Sequence, residues 1–364
     1  MSNNASNLTY YVASDLITFA ARLMQAVGLA QNRAQVVAEI LLEADLMGHS
    51  THGLQLLAAY LGELEANSMT KEGEPSIIAD SGSAVTWDGQ YLPGPWLMKQ
   101  AMDLAFERVQ EHPVVTMVIR RSHHIACLAA YPERATKKGL LMLLATSDPS
   151  VQTVAPYGGI RPVYTPNPIA AGIPTQREPI ILDISMSTTA NGTVNRFHNQ
   201  GQKLPGPWML DNQGNISDNA ADLFSEPPGS ILPLGGPDLG YKGFALGLLV
   251  EALTAALGGY GRADEPRQWG ASVFLQVLDP AAFGGSNRFI RETEWLAEAC
   301  RTNPTKPGEP PVRLPGSRAL QLRAEQLKKG VALYPSIMPT LKPWAEKLGI
   351  PLPVPLSMRL FTNS

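Results

Sequence analysis

The stretch Val114-Val115-Thr116-Met117-Val118-Ile119-Arg120-Arg121-Ser122-His123-His124 joins a β-branched apolar run to a polar end with two adjacent histidines. β-Branched residues favour strands, so residues 114–119 predict a strand that leads directly into the charged end. Functional side chains are commonly held on segments that a rigid element positions. The stretch therefore predicts a sheet domain with a candidate site at the end of this strand.

Strand and helix patterns alternate on both sides of this strand. Further strands are predicted at Val85 to Trp87, Leu140 to Ala145, Ile169 to Ile173, Pro179 to Ile184 and Ser272 to Leu278. Helices are predicted at Trp96 to Gln110, Cys127 to Lys138 and Lys242 to Leu257. The alternation predicts a mixed α/β sheet domain over residues 85–289, with a turn-rich insertion near residues 195–230.

The two ends of the chain are helical in pattern. Apolar residues recur at helical spacing in five segments, which are Leu16 to Val27, Val36 to Leu46, Gly53 to Ala66, Glu292 to Arg301 and Ser317 to Gly330. We predict that residues 1–84 form a helical domain and that residues 290–364 fold back on it.

The composition excludes several classes of protein. The chain has 364 residues, of which 44% are hydrophobic and 17% charged, and its net charge of −3 offers no basic surface for nucleic acid. Cys127 and Cys300 lie far apart and form no CxxC pair, which is typical of a reducing compartment, so we expect a cytoplasmic protein. The apolar stretches are too short or too interrupted to predict a membrane span, and the polar N-terminus predicts no signal peptide.

A second histidine window, Gly48-His49-Ser50-Thr51-His52-Gly53, lies about seventy residues before the first. It begins where the second helical pattern ends, and His52 comes just before the third. A helix N-terminus disfavours an imidazolium, so we expect a neutral His52. Imidazole exchanges protons near pH 7, so His49, His52, His123 and His124 are all candidates for acid/base catalysis.

The familiar nucleotide motifs are missing from this sequence. No GxGxxG string occurs, and residues 235–243, Gly-Gly-Pro-Asp-Leu-Gly-Tyr-Lys-Gly, only approach a P-loop. A glycine-rich turn that carries Lys242 into a helix is nevertheless a candidate anion site.

Taken together, six motifs occur in order along most of the chain: residues 48–53, residues 122–124, Ala155-Pro156-Tyr157-Gly158-Gly159, Asn167-Pro168, Leu182-Asp183-Ile184-Ser185-Met186-Ser187, and residues 232–243. This combination resembles the malate/L-lactate/sulfolactate dehydrogenase family, which includes ureidoglycolate dehydrogenase, diketogulonate reductase and cyclic ketimine reductases. The resemblance implies a non-Rossmann, mixed and largely antiparallel sheet domain flanked by helices, with a helical domain built from both termini. It also implies an NAD or NADP cofactor and a homodimer.

The resemblance also implies roles for particular residues. His124 and His52 match the family's catalytic histidines, and as a hypothesis His124 donates a proton while His52 binds the polar head of the substrate. The predicted substrate contacts are Thr51, His52, Tyr60 and Arg121. The predicted cofactor contacts are Asp183, Ile184, Ser185, Met186, Ser187, Tyr241, Lys242, Gly316, Ser317 and Arg318. We expect no metal in the site, and Arg318 favours NADP slightly over NAD.

Three departures from the family pattern lie where the substrate is expected. Leu56 stands where the family usually has an arginine, a natural partner for a carboxylate. The usual Gly-Thr-Asn-Pro is replaced by Thr165-Pro166-Asn167-Pro168, and the loop from Ser147 to Ala155 is about two residues longer. Either another cation, from among Arg120, Arg121 and Arg196, replaces the arginine, or the substrate is not a simple 2-oxo acid.

The predicted function is hydride transfer between NAD(P) and a small 2-oxo acid or 2-hydroxy acid. The alternative is an NAD(P)H-dependent reductase of cyclic ketimines or of imines formed from 2-oxo acids. Two further alternatives are a metal-dependent hydrolase with His49, His52, His123 and His124 as ligands, and a catalytically silent relative.

Overall fold

The computed structural model describes residues 9–359. Residues 1–8 and 360–364, the outer ends of the predicted helical domain, lie outside the described residues. The helices are α1 Ala13–Ala26, α2 Gln31–Leu46, α3 Leu57–Glu65, α4 Gly94–Arg108, α5 Glu133–Thr136, α6 Asn191–Asn199, α7 Gly236–Glu251, α8 Ser286–Arg301, α9 Ser317–Lys329, α10 Ile337–Leu348 and α11 Leu356–Arg359. The strands are β1 Tyr10–Tyr11, β2 Ser76–Asp80, β3 Ala84–Asp88, β4 Val114–Ser122, β5 Leu141–Ser147, β6 Ile169–Ile173, β7 Ile180–Ile184, β8 Met209–Leu210, β9 Ile216–Ser217, β10 Ser230–Ile231, β11 Ala271–Leu278 and β12 Val331–Ala332.

The main sheet within residues 9–359 has seven strands in the order β2-β3-β4-β11-β5-β6-β7. Strands β3 and β4 pair in parallel, and the other neighbours pair antiparallel. A largely antiparallel sheet with helices on its faces is the predicted fold class, which is confirmed. This order places the end of β4, with its histidines, beside β11 in the middle of the sheet.

Strand β4 is buried on both faces because its side chains alternate between two apolar clusters. Met117 joins the large core cluster that includes Leu97 and Ala101 of α4. Val118 faces the other way and packs with Val250 of α7. Strand β4 is therefore packed between α4 and α7, and this packing fixes the position of the histidines that follow the strand.

The two chain ends meet through α9 and α10. Helix α9 contacts α2, and α10 contacts α1 and α3. Strand β1 pairs with β12 through Tyr10 and Ala332. Helix α8 packs elsewhere, with Ala297 against Ile180 of β7. One apolar cluster contains side chains of the N-terminal helices, the sheet and α10, and the division into domains stays a prediction.

The predicted helix from Cys127 to Lys138 is wrong. The chain instead forms a 3₁₀ turn, Leu128–Ala130, followed by the four-residue α5. Ala126, directly before the predicted start, has a left-handed φ of 60°. Pro132 has no N–H for a helical hydrogen bond, which disfavours a helix that continues across it.

Helix α7 begins six residues before the predicted start at Lys242. Gly235 has a left-handed φ of 103° and Pro237 lies in the first turn, where its missing N–H does no harm. Lys242 therefore lies inside a helix, and its predicted place in the glycine-rich turn is wrong. Within residues 9–359, one helix, Gly236–Ala256, has the length and apolar composition of a membrane span, and a third of that segment is buried.

Candidate active site

Two cavities meet at His49 and Asp183, which line both of them. The larger cavity has a volume of about 710 Å³ and is lined by His52 and His124. The smaller cavity has a volume of about 670 Å³ and is lined by Arg318. The structure thus brings the two predicted catalytic histidines and part of the predicted cofactor segment into one cleft with two arms.

The turn that carries His52 is anchored to α2 by Asp45. A Cβ on Gly53 would lie 2.3 Å from Oδ2 of Asp45, so only glycine fits there. The same Oδ2 accepts the N–H of Leu54 at 2.6 Å. Burial raises the pKa of Asp45 to about 7, although this hydrogen bond and the charge of Arg196 act in the opposite direction. The anchor fixes the point from which His52 enters the cavity.

The His52 ring is oriented by its neighbour. Oγ1 of Thr51 lies 2.9 Å from Nδ1 of His52, which leaves Nε2 as the ring nitrogen for a ligand. Burial lowers the pKa of His52, the charges of His49 and Arg196 lower it further, and Asp183 opposes them. This direction agrees with the expectation of a neutral His52.

The His124 ring is held from behind by Tyr60. The hydroxyl of Tyr60 lies 2.8 Å from Nδ1 of His124 and donates to the carbonyl oxygen of His124 at 3.1 Å. The N–H of Ala126 donates to the same Nδ1 at 3.2 Å. Tyr60 was predicted to contact the substrate, but it is fully buried in α3 and supports His124 instead. Nε2 of His124 is the nitrogen left for a ligand.

The rings of His52 and His124 lie close together in the larger cavity. Their centroids are 6.0 Å apart and their planes are inclined by 26°. Trp269 also lines this cavity, with its centroid 5.0 Å from that of His124. Burial lowers the pKa of His124 well below its usual value, and the charges of His52 and His123 add to the effect. Two neutral imidazoles therefore face one small volume.

His123 has a different environment from its neighbour His124. Its side chain is fully buried, and its ring packs against Trp269 and Tyr60. Oε2 of Glu63 lies 3.6 Å from its Nε2. Burial lowers the pKa of His123 to about 3. His123 therefore belongs to the support of the site and not to the cavity lining.

The predicted cofactor segment after β7 divides between the two cavities. Asp183 and Ser185 line the larger one, and Ile184 lines the smaller one. Met186 and Ser187 are buried behind the lining. Gly316 and Arg318 line the smaller cavity, and Ser317 starts α9 between them.

Three predicted site residues lie away from the cleft of this chain. Arg121 forms an ion pair with Asp88, with Nη2 2.5 Å from Oδ2. Tyr241 and Lys242 are exposed on α7 and line neither cavity. The predicted substrate contact Arg121 therefore already has a carboxylate partner, Asp88.

Several residues of the cleft are absent from the predicted substrate and cofactor contacts. Asp148 and Trp269 line the larger cavity, and Arg313 lines the smaller one. The first turn of α6, from Asn191 to Thr193, also faces the larger cavity. A signal existed for Asp148, which lies in the lengthened loop, and for Trp269, which directly precedes Gly270 and β11.

Comparisons with known proteins identify the family of this chain. The family model described as malate/L-lactate dehydrogenase matches residues 12–342. An L-lactate dehydrogenase from Cupriavidus necator is 32% identical over 327 residues, which cover 88% of this chain and 92% of the relative. A (2R)-3-sulfolactate dehydrogenase (NADP(+)) from Chromohalobacter salexigens is 31% identical and covers 85% of this chain and 90% of its own length.

Solved structures show the same fold. Malate dehydrogenase from Entamoeba histolytica superposes with a TM-score of 0.89 at 21% identity, covering 96% of this chain and 100% of its own. The delta1-piperideine-2-carboxylate reductase from Pseudomonas syringae superposes with a TM-score of 0.80 at 26% identity, covering 92% and 99%. The match of the family model over most of the chain confirms the resemblance seen in the six motifs. The chain belongs to the malate/L-lactate dehydrogenase family and is an oxidoreductase.

Proposed function

We propose that this oxidoreductase transfers hydride between NAD(P) and a small 2-oxo acid or 2-hydroxy acid. The observation that carries the proposal is the pair of neutral histidines, His52 and His124, in a cavity that shares Asp183 with a second cavity. Reduction of a carbonyl needs a proton at oxygen when hydride reaches carbon, and one imidazole at that oxygen suffices.

The smaller cavity fits the phosphate-bearing part of a dinucleotide. Gly316 has a φ of 85°, and a Cβ there would lie 2.8 Å from Cβ of Ile181, so the turn presses closely on β7. Helix α9 begins at the next residue, and a helix N-terminus favours anions. Arg313 and Arg318 add positive charge. A bound NAD(P)H supplies the hydride.

His124 is the group that we propose to move the proton. When Nδ1 is unprotonated, it accepts a hydrogen bond from the N–H of Ala126. When Nδ1 is protonated, it can donate a hydrogen bond to the oxygen of Tyr60. Nε2 can therefore hold a proton for an alkoxide or accept one from a hydroxyl. His52, held by Thr51, binds the substrate's polar head at the opposite side.

Arg196 does not itself line the larger cavity, but it is the cation that we propose to balance a substrate carboxylate at a distance, in place of the family arginine at Leu56. Arg120 and Arg121 are both paired with Asp88. Arg196 lies 2.6 Å from Oε1 of Gln55, and its buried Nε has no hydrogen-bond partner among the described residues. Its charge already acts on His52.

A reductase of cyclic ketimines or other imines is the second candidate, and the charge of the larger cavity favours it. Within residues 9–359, no lysine or arginine lines this cavity, whereas Asp148 and Asp183 do. Oδ1 of Asp148 accepts from the N–H and from the hydroxyl of Ser150. An iminium ion is positively charged, so these carboxylates favour its binding. The superposition on the delta1-piperideine-2-carboxylate reductase, which is named after a cyclic imine, supports the same candidate.

The cofactor preference that we propose is NADP. Arg313 and Arg318 are exposed at the smaller cavity and form no ion pair within residues 9–359, so a 2′-phosphate would find two cations there. One relative carries NADP(+) in its name. We also propose a cytoplasmic location, since both cysteines are free, as in a reducing compartment.

We propose a homodimer that forms through α7. This helix exposes Leu246, Leu248 and Leu249 at 41%, 50% and 52%, and contiguous exposed apolar surface marks interfaces. The same surface explains the apolar composition of the helix without a membrane. Tyr241 and Lys242 on α7 would then reach a cleft only in a second copy. Light scattering on wild-type protein and on Leu249→Lys tests the dimer, which the substitution should dissociate.

The experiment that tests the function measures consumption of NADPH and of NADH against 2-oxo acids, with and without methylamine, and against cyclic ketimines. Turnover of 2-oxo acids alone supports the first candidate. Turnover only with amine or ketimine supports the second. If the protein neither turns over a substrate nor binds a dinucleotide, both candidates are contradicted, and the catalytically silent relative is the interpretation that remains.

A further inference from the structure

Three side chains of different chemistry meet where the two cavities join. They are His49, Cys127 and Asp183, and one possible ligand atom from each lies within 4.8 Å of the others. All three line the larger cavity, so the group is open to a diffusing ion. His52, His123 and His124 do not join it in the described part of the chain.

The fold brings these residues from three separate segments. His49 lies in the turn after α2, Cys127 precedes the 3₁₀ turn, and Asp183 lies on β7. Oδ2 of Asp183 accepts the N–H of Ala129 at 2.9 Å and lies 3.6 Å from Sγ of Cys127. The backbone therefore holds the carboxylate against the thiol.

We propose that His49, Cys127 and Asp183 bind a zinc ion. Imidazole, thiolate and carboxylate are the ligands that zinc prefers, and three protein ligands leave a fourth position open. Tetrahedral ligands at roughly 2.0–2.3 Å from zinc lie about 3.6 Å from one another, which the Cys127–Asp183 contact already matches. The thiol proton is released to solvent when zinc binds.

This site regulates the cleft and is separate from the proton-transfer histidines. Asp183 lines both cavities, so an ion bound to it lies where the cofactor and substrate arms meet. Zinc therefore inhibits by excluding the dinucleotide. The inhibition rests on the proposed function, whereas the binding of zinc does not.

The test titrates chelator-treated full-length protein with Zn²⁺ in competition with a chromophoric zinc indicator, and with Co²⁺ as a spectroscopic substitute. We expect one ion per chain and a thiolate-to-cobalt charge-transfer band in the near ultraviolet. Cys127→Ala should abolish the band and weaken zinc binding by more than the roughly 10–100-fold that loss of an outer-shell partner produces. Cys300→Ala is the matched control, since Cys300 lies outside the group and is partly exposed.

Circular dichroism reports whether each variant is folded. If Cys127→Ala does not fold, His49→Gln replaces it, with the same expected loss of zinc affinity. The proposal is overturned if the wild-type protein binds no zinc, or if wild type and the folded variant bind zinc with equal affinity. Zinc bound as expected by a protein that turns over no substrate would leave the site standing and contradict the proposed function alone.

Discussion

The hydroxyl of Tyr60 lies 2.8 Å from Nδ1 of His124, and the N–H of Ala126 donates to the same nitrogen at 3.2 Å. Tyr60 also donates to the carbonyl oxygen of His124. The oxygen of Tyr60 therefore stays free to accept a hydrogen bond from Nδ1 when Nδ1 is protonated. His124 thus has a partner in each protonation state. A residue that must both give and take a proton requires this arrangement.

Removal of the Tyr60 hydroxyl should slow proton transfer and leave substrate binding intact. For Tyr60→Phe we expect kcat to fall by roughly 10- to 100-fold while KM changes little, since Tyr60 does not line the cavity. Tyr131→Phe is the control, because Tyr131 is equally buried but donates to the carbonyl of Ile125. Equal losses of kcat in both variants would show that His124 does not depend on Tyr60.

The adjacent histidines should differ sharply in their effect on turnover. His124→Asn should lower kcat by roughly 10²- to 10⁴-fold, as expected for loss of an acid/base group. His123→Asn should keep kcat within about tenfold and lower the melting temperature, since His123 is buried outside the cavity. Steady-state kinetics and thermal melts measure both effects. Near wild-type kcat in a folded His124→Asn variant would remove His124 from the mechanism.

The pH profile should reflect the lowered pKa of His124. Burial disfavours the imidazolium, so His124 stays neutral as pH falls through 6.5, the ordinary value. Oxidation of a 2-hydroxy acid, which needs the neutral base, should therefore persist below pH 6.5 and decline only as pH falls through the lowered pKa. Reduction, which needs the imidazolium, should rise over the same range. An acid limb of kcat/KM for oxidation centred at or above pH 6.5 would contradict this.

Arg196 should matter for carboxylate-bearing substrates alone. In Arg196→Gln we expect KM for a 2-oxo acid to rise by roughly 30-fold, which corresponds to about 2 kcal/mol. Substrates without a carboxylate should be affected much less. Arg121→Gln removes an arginine that is paired with Asp88 and serves as the control. An unchanged KM in Arg196→Gln would mean that the site holds its substrate without this charge.

Asp45 should make the stability of the fold depend on pH. Its pKa is raised from 3.8 to about 7. Between pH 3.8 and pH 7, Asp45 is therefore protonated in the folded protein and ionised in the unfolded chain. The stabilisation is present below pH 4 and lost as pH rises through 7. Asp45→Asn has no such titration, so its free energy of unfolding relative to that of wild type should rise between pH 5 and pH 8, by roughly 2–3 kcal/mol. Urea unfolding at both values tests this, and a constant difference would contradict it.

Local sequence predicted the strands of the sheet well because their apolar residues are buried. Strand β2, Ser76–Asp80, escaped notice because every residue in it is exposed, so no burial pattern marks it. Helix α10 contains Pro343, which breaks the usual helical signal, yet it packs through Leu341 on the core. Tertiary contacts decided both elements.

The candidate site was predicted in its histidines and only partly in its surroundings. His52 and His124 are recognisable because they stand in short polar windows beside predicted elements. The contact between Tyr60 and His124 joins residues 64 positions apart, and no local pattern encodes it. Asp148 and Trp269 likewise reach the cavity only through the sheet pairing of β5 and β11.

Transfer of a deuteride is the most direct test of hydride transfer in this cleft. Wild-type protein would be incubated with NADPH or NADH deuterated at C4 of the nicotinamide, in each face, together with 2-oxo acids and cyclic ketimines. Mass spectrometry should find one deuterium at the former carbonyl or imine carbon of the product, from one face of the cofactor only. Product without deuterium, or no product from either cofactor in a folded protein that binds it, would contradict the account.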